Sequence, residues 1–177
     1  MSNNRNPSKK SILIICPFPQ GVAAGQRLKY EQYFNLWKDN GYEIIVSSFM
    51  NPTMWKVVYS KGKYLAKIIG TITGYFYRLR DLFRISKYDI VYVHMWVTPF
   101  GSTLFERITI FLSKRLVYDI EDNTISPVTS NVNRIIAPLK NPNKNKLLMK
   151  MADYVITSSP TLNMHCLDVN NRKKCKY

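Results

Sequence analysis

The chain has 177 residues, 46% hydrophobic and 21% charged, and carries 26 Lys+Arg against 11 Asp+Glu for a net charge of +15. That is one domain's worth of chain, able to bury roughly 70% of its unfolded surface. Its apolar content excludes a disordered polycation, so the charge belongs to a folded surface. No run approaches the ~20 apolar residues of a spanning helix, and the polar start, residues 1–10, has no apolar signal core. The three cysteines, Cys16, Cys166 and Cys175, show no Cys-x-x-Cys spacing. Neither a disulfide framework nor a zinc site is suggested, and a cytoplasmic protein is the expectation.

Residues 1–10, with Pro7, read as a disordered basic tail, and 11–177 as a single α/β domain. Residues 12–16 (ILIIC) are a short apolar run stopped by Pro17, as expected of a strand covered on both faces. A loop over 17–25 leads to a helix over 26–40, with Leu28, Tyr30, Phe34 and Trp37 about a turn apart and Gly41 as its stop. Residues 43–47 are a second strand. Further strands are predicted at 90–93, 116–120 and 154–157, with a possible edge beginning at Lys174. Between them fall a helix at 102–114, one ending near Ala152, and one opened by Ser159-Pro160. Strands alternating with helices imply crossovers and a doubly wound, mostly parallel sheet.

The segment 55–86 is the most unusual. Leu65, Ile68, Ile69, Ile72, Phe76, Leu79 and Phe83 recur at helical spacing, ringed by Lys56, Lys61, Lys63, Lys67, Arg78, Arg80, Arg84 and Lys87, with Asp81 the only acid. Two readings are open. In one, the stripe packs on the sheet and the basic residues are solvated, which accounts better for the apolar positions. In the other, the helix lies on an anionic membrane surface, each basic residue contributing on the order of 1 kcal/mol. Both hold together if the stripe faces inward and the basic face meets lipid. Gly70 and Gly74 each weaken a helix by roughly 1 kcal/mol, so a bend or break is expected there.

A doubly wound sheet binds ligands at the carboxyl ends of its strands, which singles out 17–27, 94–101, 119–123 and Ser158-Ser159. In the first loop Gly21 and Gly25 let backbone N–H groups approach a ligand. The helix N-terminus beyond them and Arg27 suit a phosphate or sugar hydroxyl. The loop matches neither the dinucleotide nor the Walker fingerprint, and a plain strand-to-helix turn fits it equally. Asp119, Glu121 and Asp122 put carboxylates at the mouth of a strand, the first two on one face and Asp122 where the chain leaves the sheet. A carboxylate there accepts a proton from a hydroxyl or stabilises positive charge, and capping or a surface ion pair is the competing account. His94 positions a phosphate, acts as a base, or is a hydrogen-bonded structural residue. No metal-ligand pattern is present.

The run Pro17-Phe-Pro-Gln-Gly-Val-Ala-Ala-Gly-Gln-Arg-Leu-Lys-Tyr-Glu-Gln32, followed by Tyr88-Asp-Ile-Val-Tyr-Val93, Leu116-Val-Tyr-Asp-Ile-Glu-Asp122 and Ala152-Asp-Tyr-Val-Ile-Thr-Ser158, resembles the N-terminal half of GT-B-fold glycosyltransferases of family 4, the retaining group-1-like enzymes. The resemblance covers nearly everything from Ser11 to Tyr177. It implies a Rossmann-like acceptor-binding domain whose acceptor is a glycan or a lipid-linked sugar at the membrane. It further implies a nucleotide sugar as co-substrate, held by a second domain, with no resident cofactor or metal. By the same resemblance Gly21, Gly25, Gln26 and Arg27 face the donor's diphosphate, and a functional acid is sought among Asp119, Glu121 and Asp122. Asp122 is favoured because it leaves the sheet toward the cleft.

A complete enzyme of that fold has a second domain of ~150 to 200 residues with a paired-glutamate motif, which this sequence lacks. The expectation is therefore an acceptor-binding half, inactive alone and peripheral at the inner face of the membrane: a truncated or interrupted product, an excised domain, or one subunit of a split enzyme whose donor-binding half comes in trans. The competing class is a non-catalytic accessory or polyanion-binding module. Nucleic acid is disfavoured as its partner, since no recognition-helix, RNP-like or zinc pattern appears.

Overall fold

A computed structural model describes residues 10–121 and 141–177. They form an α/β structure on a six-stranded sheet in which every neighbouring pair is parallel. The strands are β1 (Lys10–Cys16), β2 (Tyr42–Ser48), β3 (Ile90–His94), β4 (Leu116–Ile120), β5 (Tyr154–Thr157) and β6 (Cys175–Lys176), ordered β2-β1-β3-β4-β5-β6. This is the Rossmann-like, doubly wound class expected. Strand β1 starts one residue inside the predicted tail, whose residues 1–9 lie outside the described residues.

Alternation along the strands builds two layers of core. Leu13, Ile15, Val91, Val93, Tyr118 and Ile120 face a cluster completed by α5 (Leu104–Leu112), α6 (Asn143–Met151) and α7 (Pro160–Val169). Ile12, Ile14, Cys16 and Tyr92 face the opposite cluster with Tyr30, Phe34 and Trp37. Strands buried on both faces need apolar residues at successive positions, and the run over 12–16 supplies them.

The helix predicted over 26–40 is divided. Helix α1 (Ala24–Lys29) gives way to a 3-10 turn, Glu31–Tyr33, and then to α2 (Phe34–Asp39). Tyr30 sits at the first break with φ −123° and ψ −29°, only 1% exposed. Its ring lies 5.3 Å from those of both Tyr92 and His94. Gly41, with φ +83°, ends the segment as its position predicted.

After β2, helix α3 (Pro52–Val58) is opened by Asn51, whose side chain accepts from the Met54 N–H at 2.7 Å. Helix α4 (Tyr64–Leu82) then runs through both glycines without the break that the sequence allowed. The glycines are its packing face. A Cβ on Gly70 would meet the Met54 side chain at 2.7 Å, and one on Gly74 the Phe49 ring at 2.6 Å. The face predicted to lie on the sheet is instead the outer one: Leu65, Ile68, Ile69, Ile72, Phe76, Leu79 and Phe83 are 44–79% exposed. Residues 70, 74, 78 and 81, half a turn away, are buried.

Arg78 leaves the basic ring altogether. Buried at 1% exposure, it donates to the carbonyls of Cys16 (2.8 Å), Ser47 (3.1 Å) and Val97 (2.7 Å). It thereby fastens α4 to the carboxyl ends of β1 and β2 and to the loop after β3. Asp81, also buried, accepts from Ser47, Arg78 and Arg84 at 2.6–3.1 Å.

Candidate functional site

The chain passes from β1 outward to β2 and then returns across β1 to β3, so the loops leaving β1 and β3 diverge. Such a reversal opens a crevice at the carboxyl ends of the two strands. Strand register puts His94, the last residue of β3, beside Asp119 of β4.

Asp119 is fully buried and accepts from three sides. Lys29 Nζ lies 2.6 Å from Oδ1, while the Tyr92 hydroxyl at 2.8 Å and His94 Nδ1 at 3.0 Å face Oδ2. Burial alone would raise this carboxyl. The hydrogen bond from His94, with the charge and hydrogen bond of Lys29, holds it below the usual carboxylate value. Burial, with the Asp119 charge added, pushes the Tyr92 phenol up, so it stays a donor. An ionised Asp119 has no proton to give, so His94 carries its hydrogen on Nδ1 and turns Nε2 the other way. Nε2 lies 3.8 Å from Glu121 Oε1, in a side chain 32% exposed. Gly25 closes the group: a Cβ there would stand 3.0 Å from the same Glu121 oxygen.

The loop after β1 is built to hold its shape. Gln26, 1% exposed, accepts from the Phe18 N–H at 3.0 Å and donates back to the Phe18 carbonyl at 3.1 Å. Gly21, at φ +79°, donates its N–H to Glu31 Oε2 at 3.0 Å. A non-glycine residue would be strained there. The Met50 N–H reaches the Pro17 carbonyl at 2.9 Å.

The exit from β3 is equally fixed. Met95 takes φ +62°, a conformation costing of order 1 kcal/mol that clusters at functional sites. Its N–H bonds the Asp119 carbonyl at 2.9 Å. Beyond it, Glu106 accepts from the N–H (3.2 Å) and hydroxyl (2.9 Å) of Thr98, and Lys144 Nζ donates to the Thr98 hydroxyl at 2.6 Å.

Of the residues singled out in the sequence, the fold brings Gly25, His94, Asp119 and Glu121 to one place. Gly21 and Gln26 stand in the same loop but engage its own backbone and Glu31. Arg27 is exposed on α1, which at six residues offers little dipole. Asp122 lies outside the described residues. Ser159 caps α7, accepting from the Leu162 N–H at 3.2 Å. Asp119, a candidate acid in the sequence, is committed to its three donors and acts by holding His94. Sequence reasoning missed Lys29 and Tyr92. A signal for Lys29 existed, because Gln26, Lys29 and Tyr30 fall on one helical face, which the buried flanking pair turns toward the sheet.

His94 is only 1% exposed and turns Nε2 to Glu121, so the part-exposed Glu121 carboxylate, which has contacts of its own, is the acidic group of this set that reaches the surface. A carboxylate accepts hydrogen bonds from hydroxyls, and the imidazole behind it can take up a proton. Among the described residues no group of three or more His, Cys, Asp or Glu side chains could hold a metal ion. No protein-family model matches the chain, and no curated protein matches it.

Proposed function

We propose that the chain is the acceptor-binding part of a sugar transferase, taking a glycan or lipid-linked sugar at the crevice between β1 and β3. The donor would be a nucleotide sugar held by a second, donor-binding part. The observation that carries this reading is the Asp119–His94 pair with Glu121 and Gly25 at the switch point. A sugar is a dense set of hydroxyls, and the part-exposed Glu121 carboxylate can accept from one of them with the His94–Asp119 pair behind it. In the reaction Glu121 would receive the proton of the attacking hydroxyl as the sugar's bond to the donor's diphosphate breaks and the nucleoside diphosphate leaves, and the His94–Asp119 pair would orient the carboxylate. The resemblance of residues 17–32, 88–93, 116–122 and 152–158 to family 4 glycosyltransferases points to the same substrate class.

The test is transfer of label from radioactive nucleotide sugars to glycans and membrane-lipid extracts, with the chain alone and with a donor-binding GT-B half. Transfer that needs both parts and falls at least about tenfold in Glu121→Gln is the expected result. No transfer with any donor half, and no glycan binding by the chain alone, would contradict it. Glycan binding without transfer would leave an accessory binding subunit.

A further inference from the structure

Helix α4 is amphipathic in the reverse of the usual sense. A surface helix turns its apolar stripe to the core. Here the core face is glycine, arginine and aspartate, while Ile68 (55%), Ile69 (56%), Ile72 (52%), Phe76 (65%) and Phe83 (79%) stand in solvent. The inversion has a cause. Gly70 and Gly74 bring the backbone against Met54 and Phe49, and Arg78 and Asp81 spend their charges on strand-end carbonyls, Ser47 and each other. No room is left on that side for the stripe. Over 19 residues the helix is about 28 Å long, and an apolar face of that length needs an occupant.

Charge selects the occupant. Lys56 on α3, Lys61 and Lys63 just before α4, Arg80 on α4 and Lys87 just after it are exposed, and the one acid of the segment, Asp81, is 0% exposed and paired. The exposed charge of residues 55–87 is therefore of one sign. A second copy laid on the stripe would oppose basic rim to basic rim on chains of net charge +15 each. A surface that is apolar beneath and negative above fits both features. Among the described residues no helix is long and apolar enough to cross a membrane, so the fit is in-plane. We infer that α4 is an interfacial helix that seats its outward stripe in an anionic bilayer, with the basic residues at the headgroups. Arg78 binds this helix to the carboxyl ends of β1 and β2 and to Val97, so the lipid surface lies at the edge of the sheet that carries the crevice. The inference stands on the helix alone and does not rest on the sugar-transfer reading.

The experiment is flotation of the whole chain with phosphatidylcholine vesicles with and without phosphatidylglycerol, at low and high salt, alongside sedimentation velocity without lipid. The expected result is binding that needs the anionic lipid, weakens with salt, and drops on the order of tenfold or more in Ile69→Asp/Phe76→Asp, whose circular dichroism stays that of the parent. Lys61→Glu/Lys63→Glu, which leaves the apolar stripe intact, is expected to lose the dependence on anionic lipid. Binding unchanged in both variants would overturn the inference. So would a dimer that Ile69→Asp/Phe76→Asp dissociates in a chain that does not float.

Discussion

A buried carboxylate receiving a lysine, a tyrosine and a histidine is committed to its neighbours, and the mouth of the sheet depends on Asp119 in that sense. Asp119→Asn is expected to destabilise the fold by about 2–4 kcal/mol, somewhat below a wholly buried pair because Lys29 remains 22% exposed. The sign with pH follows from the lowered carboxyl. Its contribution is complete above the unfolded value of about 4 and is lost as pH falls through the folded one, so the acid limb of a urea-stability profile should flatten in Asp119→Asn. Gly25→Ala tests the crevice separately. The new methyl meets only the end of the Glu121 side chain, so unfolding should be unchanged or raised by up to about 1 kcal/mol while ligand binding falls. The positions of His94, Asp119 and Glu121 at strand ends were legible because strands end where apolar runs end. Their division of labour was not. It depends on Lys29, 90 residues from Asp119, and on a register that only the sheet defines.

At the scale of elements, β4 and β5 were legible to the residue, since a continuous β-branched and aromatic run admits few alternatives. Helix α4 was legible in extent but not in orientation. Apolar periodicity says which residues share a face and nothing about which way the face turns. The deciding residues were the two glycines, which read as helix weakeners and act as contact points. Gly74→Ala is expected to cost about 1–3 kcal/mol in thermal or urea unfolding, because Phe49 is 0% exposed and hemmed in by Tyr75 and Trp96. Gly70→Ala meets Met54 at Cγ, Cβ and Sδ, 2.7–2.8 Å away, and because Cβ is fixed by the backbone of the buried Met54 it too is expected to cost about 1–3 kcal/mol. No loss of stability in either variant would place the helix–core contact elsewhere. The break of the predicted 26–40 helix at Tyr30 was hidden because both halves keep helical spacing.

Across the whole molecule, a parallel sheet places its crevice at the reversal between β1 and β3, and a positively rimmed apolar helix lies fastened to the same edge. Composition showed the charge and not its distribution. One ring arginine, Arg78, went inside to hold strand-end carbonyls, while Lys56, Lys61, Lys63, Arg80 and Lys87 stay exposed. The central claim is that the crevice receives a sugar. Its most direct measurement is a titration of the nitrogen-15-labelled chain with a panel of glycans, soluble lipid-linked disaccharide analogues and nucleotide sugars, read at the backbone amides. Saturable shifts gathered at residues 17–27 and 94–101 and at Glu121, reduced in Glu121→Gln, are the predicted result. Shifts confined to other parts of the chain, or no shift there with any member of the panel, would contradict it.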